Sequence, residues 1–205
     1  MKQYPSISHL TKKTNLDDTY YVFDKLDGSN VRVVVDKEAI KSGVLTKFGK
    51  RSGLLDDKTP FLIESKDLIS ALSKNLIRMV KDSKWEEATF FFEFYGDSSF
   101  SGAHFDEPHR VSLIDIDLYK KGILPPGQFL PLAAAYNIPY ARMLRIGNID
   151  EGFQKSVEDS TVEGMTFEGV VCKNSTSTFK IKSKAWLAKL KEKCGDDEEL
   201  FSKLR

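Results

Sequence analysis

Five side chains of this 205-residue chain could do phosphate chemistry together, and they occur in a telling order. Lys25 follows the apolar run Tyr20-Tyr21-Val22-Phe23 and opens the turn Leu26-Asp27-Gly28-Ser29. Glu93 sits inside Phe92-Glu93-Phe94-Tyr95-Gly96, and Glu168 precedes Gly169-Val170-Val171. Lys180 and Lys182 alternate with Phe179 and Ile181. The Lys-x-Asp-Gly string alone is weak; its value lies in the acids and lysines that follow it.

A strand that delivers an amine into a tight turn can present it to a bound phosphate. The amine attacks only when unprotonated, and neighbouring cations favour that form by opposing a further positive charge. Lys25 is the candidate nucleophile, with Lys180, Lys182 and a divalent metal as its cationic surroundings. Glycine at position 28 permits positive φ and close backbone approach, and Asp27 can bond the turn amides. Glu93 is costly to bury in so apolar a strand unless it meets a hydroxyl, a cation or a backbone donor; on an edge strand it would simply face water. Glu168 is a hard oxygen donor at the mouth of a β-segment. One such acid suffices to help place Mg²⁺, which keeps several waters and phosphate oxygens. Lys180 and Lys182 fall on one face of a strand, where an anion between them would relieve their repulsion. Lys47, Lys50 and Arg51 form a second basic turn able to grip phosphates.

These residues need elements to hold them. Tyr20–Asp24 and Val31–Val35 read as strands flanking the Asp27-Gly28 turn, which suggests an antiparallel pair. Val44–Phe48 is a further strand. Leu68, Ile69, Leu72, Leu76, Ile77 and Val80 recur at helical spacing and predict one helix over Ser65–Lys81. Thr89–Tyr95 and Val111–Leu118 read as strands. Short helices are expected around Phe129–Tyr136 and Ile149–Val157. Phe167–Lys173 and Phe179–Lys182 are strands joined by Asn174-Ser175-Thr176-Ser177; helix Lys184–Lys193 ends at Gly195, before a charged tail helix. The sum is an α+β fold in one domain, residues 1–205.

Composition sets bounds on the partners. Hydrophobic residues at 40% and charged residues at 30% suit a globular protein, and a net charge of +1 requires any nucleic-acid surface to be local. No apolar stretch is long enough to cross a bilayer, and the start lacks a signal-like apolar region, so no membrane partner and a cytoplasmic location are expected. Cys172 and Cys194 lack metal-ligand spacing and read as reduced structural thiols. His104, Asp106, Glu107 and His109 match no metal pattern and read as a polar surface loop, and His9 carries no signal.

Taken in order, Lys25-Leu26-Asp27-Gly28, Glu93, Glu168-Gly169 and Lys180-Ile181-Lys182 resemble the covalent nucleotidyltransferase superfamily. With Lys50-Arg51-Ser52-Gly53 and Leu113-Ile114-Asp115-Ile116, the chain is most similar to ATP-dependent RNA ligases of the RNA ligase 2 type. That resemblance implies an ATP-grasp-like adenylation domain whose antiparallel sheets enclose a nucleotide pocket, with ATP and Mg²⁺ or Mn²⁺ as cofactors. It implies that Lys25 carries AMP, that Asp27, Gly28 and Arg51 help hold nucleotide or a nucleic-acid end, that Glu93 binds the ribose, that Glu168 supports the metal, and that Lys180 and Lys182 contact the α-phosphate. The implied partner is nucleic acid, as RNA ends or a nicked duplex. Two departures stand out. Relatives often place an aromatic where this chain has Leu113 and Ile114, and too little sequence follows Lys182 for an OB-fold domain. A minimal DNA ligase, a capping guanylyltransferase and a silent nucleic-acid-binding module of the same fold are the alternatives.

Overall fold

The computed structural model describes residues 2–11, 14–55, 60–97, 99, 104 and 106–204, with only the backbone of Pro60, Phe61 and Lys203. In chain order the strands are β1 (Ser8–His9), β2 (Tyr20–Asp24), β3 (Ser29–Val35), β4 (Lys47–Lys50), β5 (Gly53–Leu54), β6 (Ala88–Tyr95), β7 (Arg110–Leu118), β8 (Gly122–Ile123), β9 (Met143–Gly147), β10 (Gly169–Lys173) and β11 (Thr178–Lys182). The helices are α1 (Lys37–Ser42), α2 (Pro60–Ala71), α3 (Ser73–Asp82), α4 (Pro126–Ala135), α5 (Glu151–Glu158), α6 (Lys184–Cys194) and α7 (Glu198–Leu204). Two compact units result. One comprises Met1–Ser6, Gly28–Ser98 and His104–Ala141; the other comprises Ile7–Asp27, Ser99–Ala103 and Arg142–Arg205.

The first unit is built on a six-stranded antiparallel sheet in the order β5-β4-β3-β6-β7-β8. Its apolar face gathers Val31, Val33 and Val35 from β3, Phe90, Phe92 and Phe94 from β6, and Leu113 and Ile116 from β7, all buried. Helices α1 and α3 pack on β3, α4 on β7, and α2 on both strands. Leu113 and Ile116 have opposite parity in sequence, yet both enter this core. A register shift opposite Phe91/Phe92 leaves Ile114 between paired residues and flips the alternation, as a β-bulge does. The same shift turns Asp115 and Asp117 to the opposite face, beside Phe91 and Thr89.

The second unit holds a five-stranded sheet, β1-β11-β10-β2-β9. Its pairings are antiparallel except for β1, which joins β11 in parallel. Tyr20, Val22, Val170, Cys172, Phe179 and Ile181 form one buried face with Phe153 and Val157 of α5. Burial pushes the Cys172 thiol up to about 12.

Several expected boundaries move. The single helix over residues 65–81 is two helices, α2 and α3, interrupted at Leu72, and the strand expected at residues 44–48 lies at Lys47–Lys50. The expected pairing of β2 with β3 does not form. Strand β2 pairs with β10 and β9, whereas β3 pairs with β4 and β6, so the chain changes sheet at Asp27-Gly28 instead of reversing in a hairpin. Gly28 is accordingly not among the positive-φ glycines. It is there for close approach: a Cβ at this position would run into the Phe94 carbonyl and the Tyr95 Cβ.

Candidate active site

The second unit brings Lys25, Glu168 and Lys182 into direct contact. Lys25 extends the line of β2, and its backbone N donates to Gly169 O at 2.9 Å, which keeps it against the start of β10. Asp24 is buried and accepts from Thr166 N at 2.9 Å and Thr166 Oγ1 at 3.2 Å, tying the segment before Glu168 to the same strand. The chain must bend sharply at Gly169, where φ is 132° and any Cβ would strike Ile181 O. Only glycine fits that corner, which explains why it follows the acid directly.

The outcome is a carboxylate shared by two amines. Glu168 Oε1 lies 3.0 Å from Lys25 Nζ and 2.5 Å from Lys182 Nζ. The Lys25 side chain is 20% exposed while those of Glu168 and Lys182 are 6% and 4% exposed, so the nucleophile candidate is the accessible member. Burial lowers the Lys182 ammonium to about 8; Glu168 opposes that shift, and Lys25 and Lys180 add to it. Lys180 lies on the same side of β11 as Lys182, as the alternation predicts.

Lys173 belongs to this face as well. It is buried, pairs with Tyr21 across β10 and β2, and sits 5.4 Å from the centre of the Phe23 ring. Lys173 stands outside the ordered motif, although a lysine closing the apolar strand Gly169-Val170-Val171-Cys172 with the parity of Val171 is a legible signal. Asp27 is buried at the end of this unit.

Gly28, Arg51 and Glu93 belong to the first unit. Glu93 lies on an interior strand, opposite Asn30 of β3 and Ser112 of β7, so the edge-strand reading does not apply. Its face is the polar one, shared with Asp115, whose carboxylate accepts from the Tyr4 hydroxyl. The Tyr4 ring lies 4.9 Å from that of Phe91, and burial, Asp115 and Glu93 together hold the phenol well above its ordinary pKa. Leu113 faces the core, so it offers nothing to a nucleobase.

Arg51 is exposed in the turn between β4 and β5. Beneath it the buried Arg32 donates from Nη1 to Lys50 O at 2.5 Å and from Nη2 to Gly53 O at 3.1 Å, pinning both ends of that turn. Lys47 does not join this turn: it sits at the far end of β4, ion-paired to Asp36. His104 is buried rather than part of a polar surface loop, with Nδ1 3.0 Å from Glu107 Oε1; His109 Nδ1 meets Glu64 Oε2 at 2.5 Å. Residues 101–103 and 105 of the loop expected there lie outside the described residues. Among the described residues no cluster of three or more His, Cys, Asp or Glu side chains is placed to hold a metal. Glu168 remains chemically suited to a divalent ion that takes its other ligands from phosphate and water, being a buried hard oxygen donor beside cations that attract phosphate.

The fold recurs in solved RNA ligases. A Naegleria gruberi RNA ligase variant with ATP and Mn shares 18% identity over 84% of this chain and 51% of its own, with a TM-score of 0.64. The same ligase with PPi gives 18% identity, 86% and 52% coverage, and a TM-score of 0.64. A variant with AMP and Mn gives 16% identity, 91% and 59% coverage, and a TM-score of 0.65. The chain thus spans between half and three-fifths of the length of these relatives. A search of curated proteins finds no match. Residues 18–191, well over half the sequence and all of the Lys25–Glu168–Lys182 cluster, match the family described as RNA ligase, and the chain belongs to that family.

Proposed function

We propose that this chain is the nucleotidyltransferase part of an ATP-dependent RNA ligase acting through a covalent lysyl-AMP on Lys25. The observation that carries the reading is the accessible Lys25 amine held 3.0 Å from a buried carboxylate that also grips Lys182, within a chain of the RNA ligase family. Relatives of the same fold solved with ATP and Mn, with AMP and Mn, and with PPi support adenylyl chemistry here.

A 5′-phosphate is a poor electrophile, because its anionic oxygens repel nucleophiles and oxide is a poor leaving group. Attaching AMP through a phosphoanhydride solves both problems, and carrying AMP on an amine divides the work into easier steps. The unprotonated Lys25 Nζ attacks the α-phosphorus of ATP; the N–P bond forms, the bond to the β-phosphate oxygen breaks, pyrophosphate leaves, and the amine sheds its remaining extra proton. The 5′-phosphate of a nucleic-acid end then displaces Lys25 and takes the AMP. A 3′-hydroxyl finally attacks that activated phosphate, the phosphodiester forms and AMP leaves. Lys182 and Lys180 stabilise charge on the α-phosphate. Glu168 would hold Mg²⁺ or Mn²⁺, which supplies further charge neutralisation at phosphate when bound. By the family resemblance alone, Glu93 is assigned to the ribose and Arg51 to a phosphate, while Asp27 and Gly28 shape the chain that follows the nucleophile. RNA ends are the substrate this family membership favours, and two buried free thiols suit the reducing cytoplasm.

Incubation with radiolabelled ATP and Mg²⁺, followed by denaturing electrophoresis, should show a covalent label that Lys25→Arg abolishes, since guanidinium stays protonated. Pre-adenylylated RNA should be joined to a 3′-hydroxyl acceptor without ATP, with ribose preferred over deoxyribose at the acceptor end. A label undiminished in Lys25→Arg would sink the assignment, and joining confined to nicked DNA would move the reading to a DNA ligase.

A further inference from the structure

We propose that Trp186 is a positioning residue for adenylyl transfer: its indole face seats the Lys182 ammonium against Glu168. The inference rests on the reading of the lysine cluster given above. Lys182 Nζ lies 3.4 Å from the centre of the Trp186 ring and 2.5 Å from Glu168 Oε1. An ammonium with a 4% exposed side chain has given up most of its water, and here a carboxylate and a π-face take its place. Lysine is a point charge on a flexible four-carbon stem, so its position is set by what encloses it. Glu168 Oε1 also contacts Lys25 Nζ at 3.0 Å, so seating Lys182 fixes the acid beside the nucleophile.

The local sequence holds the indole at the right height. Ser183 caps α6, its Oγ accepting from Trp186 N at 3.0 Å and donating to Phe167 O at 2.6 Å. Ser183 N donates to Glu168 O at 3.1 Å. The first turn of α6 is therefore bonded to the segment that carries Glu168. Behind the ring, Leu190 and Cys194 complete a small core with Phe167, Leu187 and Phe201. The indole Nε1 is buried with no hydrogen-bond partner among the described residues. Packing alone would be better served by phenylalanine, which buries no donor; the electron-rich face of tryptophan is what the cation gains.

The test compares single-turnover self-adenylylation at saturating ATP in the wild-type chain, Trp186→Phe, Trp186→Leu, Lys182→Ala and the Trp186→Leu/Lys182→Ala double variant. Trp186→Phe should stay within about threefold of wild type, and Trp186→Leu should be slower by about thirtyfold, the scale of a desolvated cation–π contact. Added to Lys182→Ala, Trp186→Leu should do nothing further. An equal slowing in both backgrounds, or wild-type speed in Trp186→Leu, overturns the proposal while leaving the lysine cluster intact. Wild-type speed in Lys182→Ala overturns the cluster assignment and this inference together. Should Trp186→Leu fold poorly, Trp85→Phe leaves Trp186 as the sole indole of a chain with two tryptophans. Its emission should then change on Lys182→Ala, and an unaltered spectrum would refute the contact.

Discussion

Glu168→Gln is the sharpest perturbation of the cluster, because it removes a charge and keeps the shape. Lys25 and Lys182 contact the same carboxylate oxygen, at 3.0 and 2.5 Å. Their nitrogens therefore lie no more than roughly 5.5 Å apart, and two unit charges at that separation repel by about 3 kcal/mol at an effective dielectric of about 20. With the carboxylate present this repulsion is offset; with an amide it stands. The cheapest relief is for one amine to shed its proton, and Lys182, already lowered to about 8 by burial, is the one that yields. The proposed phosphate site then loses a cation as well as the carboxylate that Lys25 and Lys182 share. Loss of one preorganised charge contact typically costs about 3 kcal/mol of transition-state stabilisation, so adenylylation should slow by on the order of a hundredfold to a thousandfold. Rapid mixing with ATP and Mg²⁺, quenching, and mass spectrometry of the intact chain measure the gain of one AMP directly. A rate within a few-fold of wild type, in protein with normal circular dichroism, would show that the carboxylate does not organise the reaction.

Other expectations concern the frame. Gly28→Ala forces a Cβ into the Phe94 carbonyl and should lower urea stability by about 1–3 kcal/mol, visible as an earlier midpoint at unchanged slope. Tyr4→Phe strips a hydroxyl donor from the buried Asp115 and should lower stability by about 1–3 kcal/mol in the same measurement. Cys172 should resist thiol reagents until the chain unfolds. An unfolded thiol ionises near 9.0 while this one holds its proton to about 12, so the thiol's effect on stability appears as a fall while pH rises through that interval, steeper than in Cys172→Ala.

Most strands were legible because one face of each is buried. Thr89–Tyr95, Val111–Leu118 and Phe179–Lys182 announce themselves by aromatic and β-branched alternation, and the structure extends each by one residue, whereas the strand expected at Phe167–Lys173 begins only at Gly169. The misses have physical causes. The periodicity of Leu68 to Val80 runs through Leu72 without interruption, because Leu72 keeps right-handed helical dihedrals and the break hardly rotates the apolar stripe; nothing in residue type marks the break between α2 and α3. Lys47 looked like a partner of Arg51 because it is near in sequence, but the intervening strand carries it to the other end of β4, within reach of Asp36.

The error at Asp27-Gly28 is the instructive one. Asp-Gly between two β-prone runs is a strong local sign of a hairpin, and local chemistry alone cannot distinguish a turn from a change of sheet. The distinction comes from long-range pairing: β2 takes β10 and β9 on its two sides, which leaves no edge for β3. Because Glu168 precedes β10 and Lys182 ends β11, this non-local pairing is also what brings them to Lys25 from more than a hundred residues away in sequence. The ordered motif thus listed the residues of the proposed site without showing how they meet. That construction uses residues that motif reading passed over: Asp24 anchoring Thr166, Gly169 turning the corner, and Ser183 capping α6 beside Glu168. Each is ordinary in type, and each acquires meaning only from the neighbour that the sheet supplies.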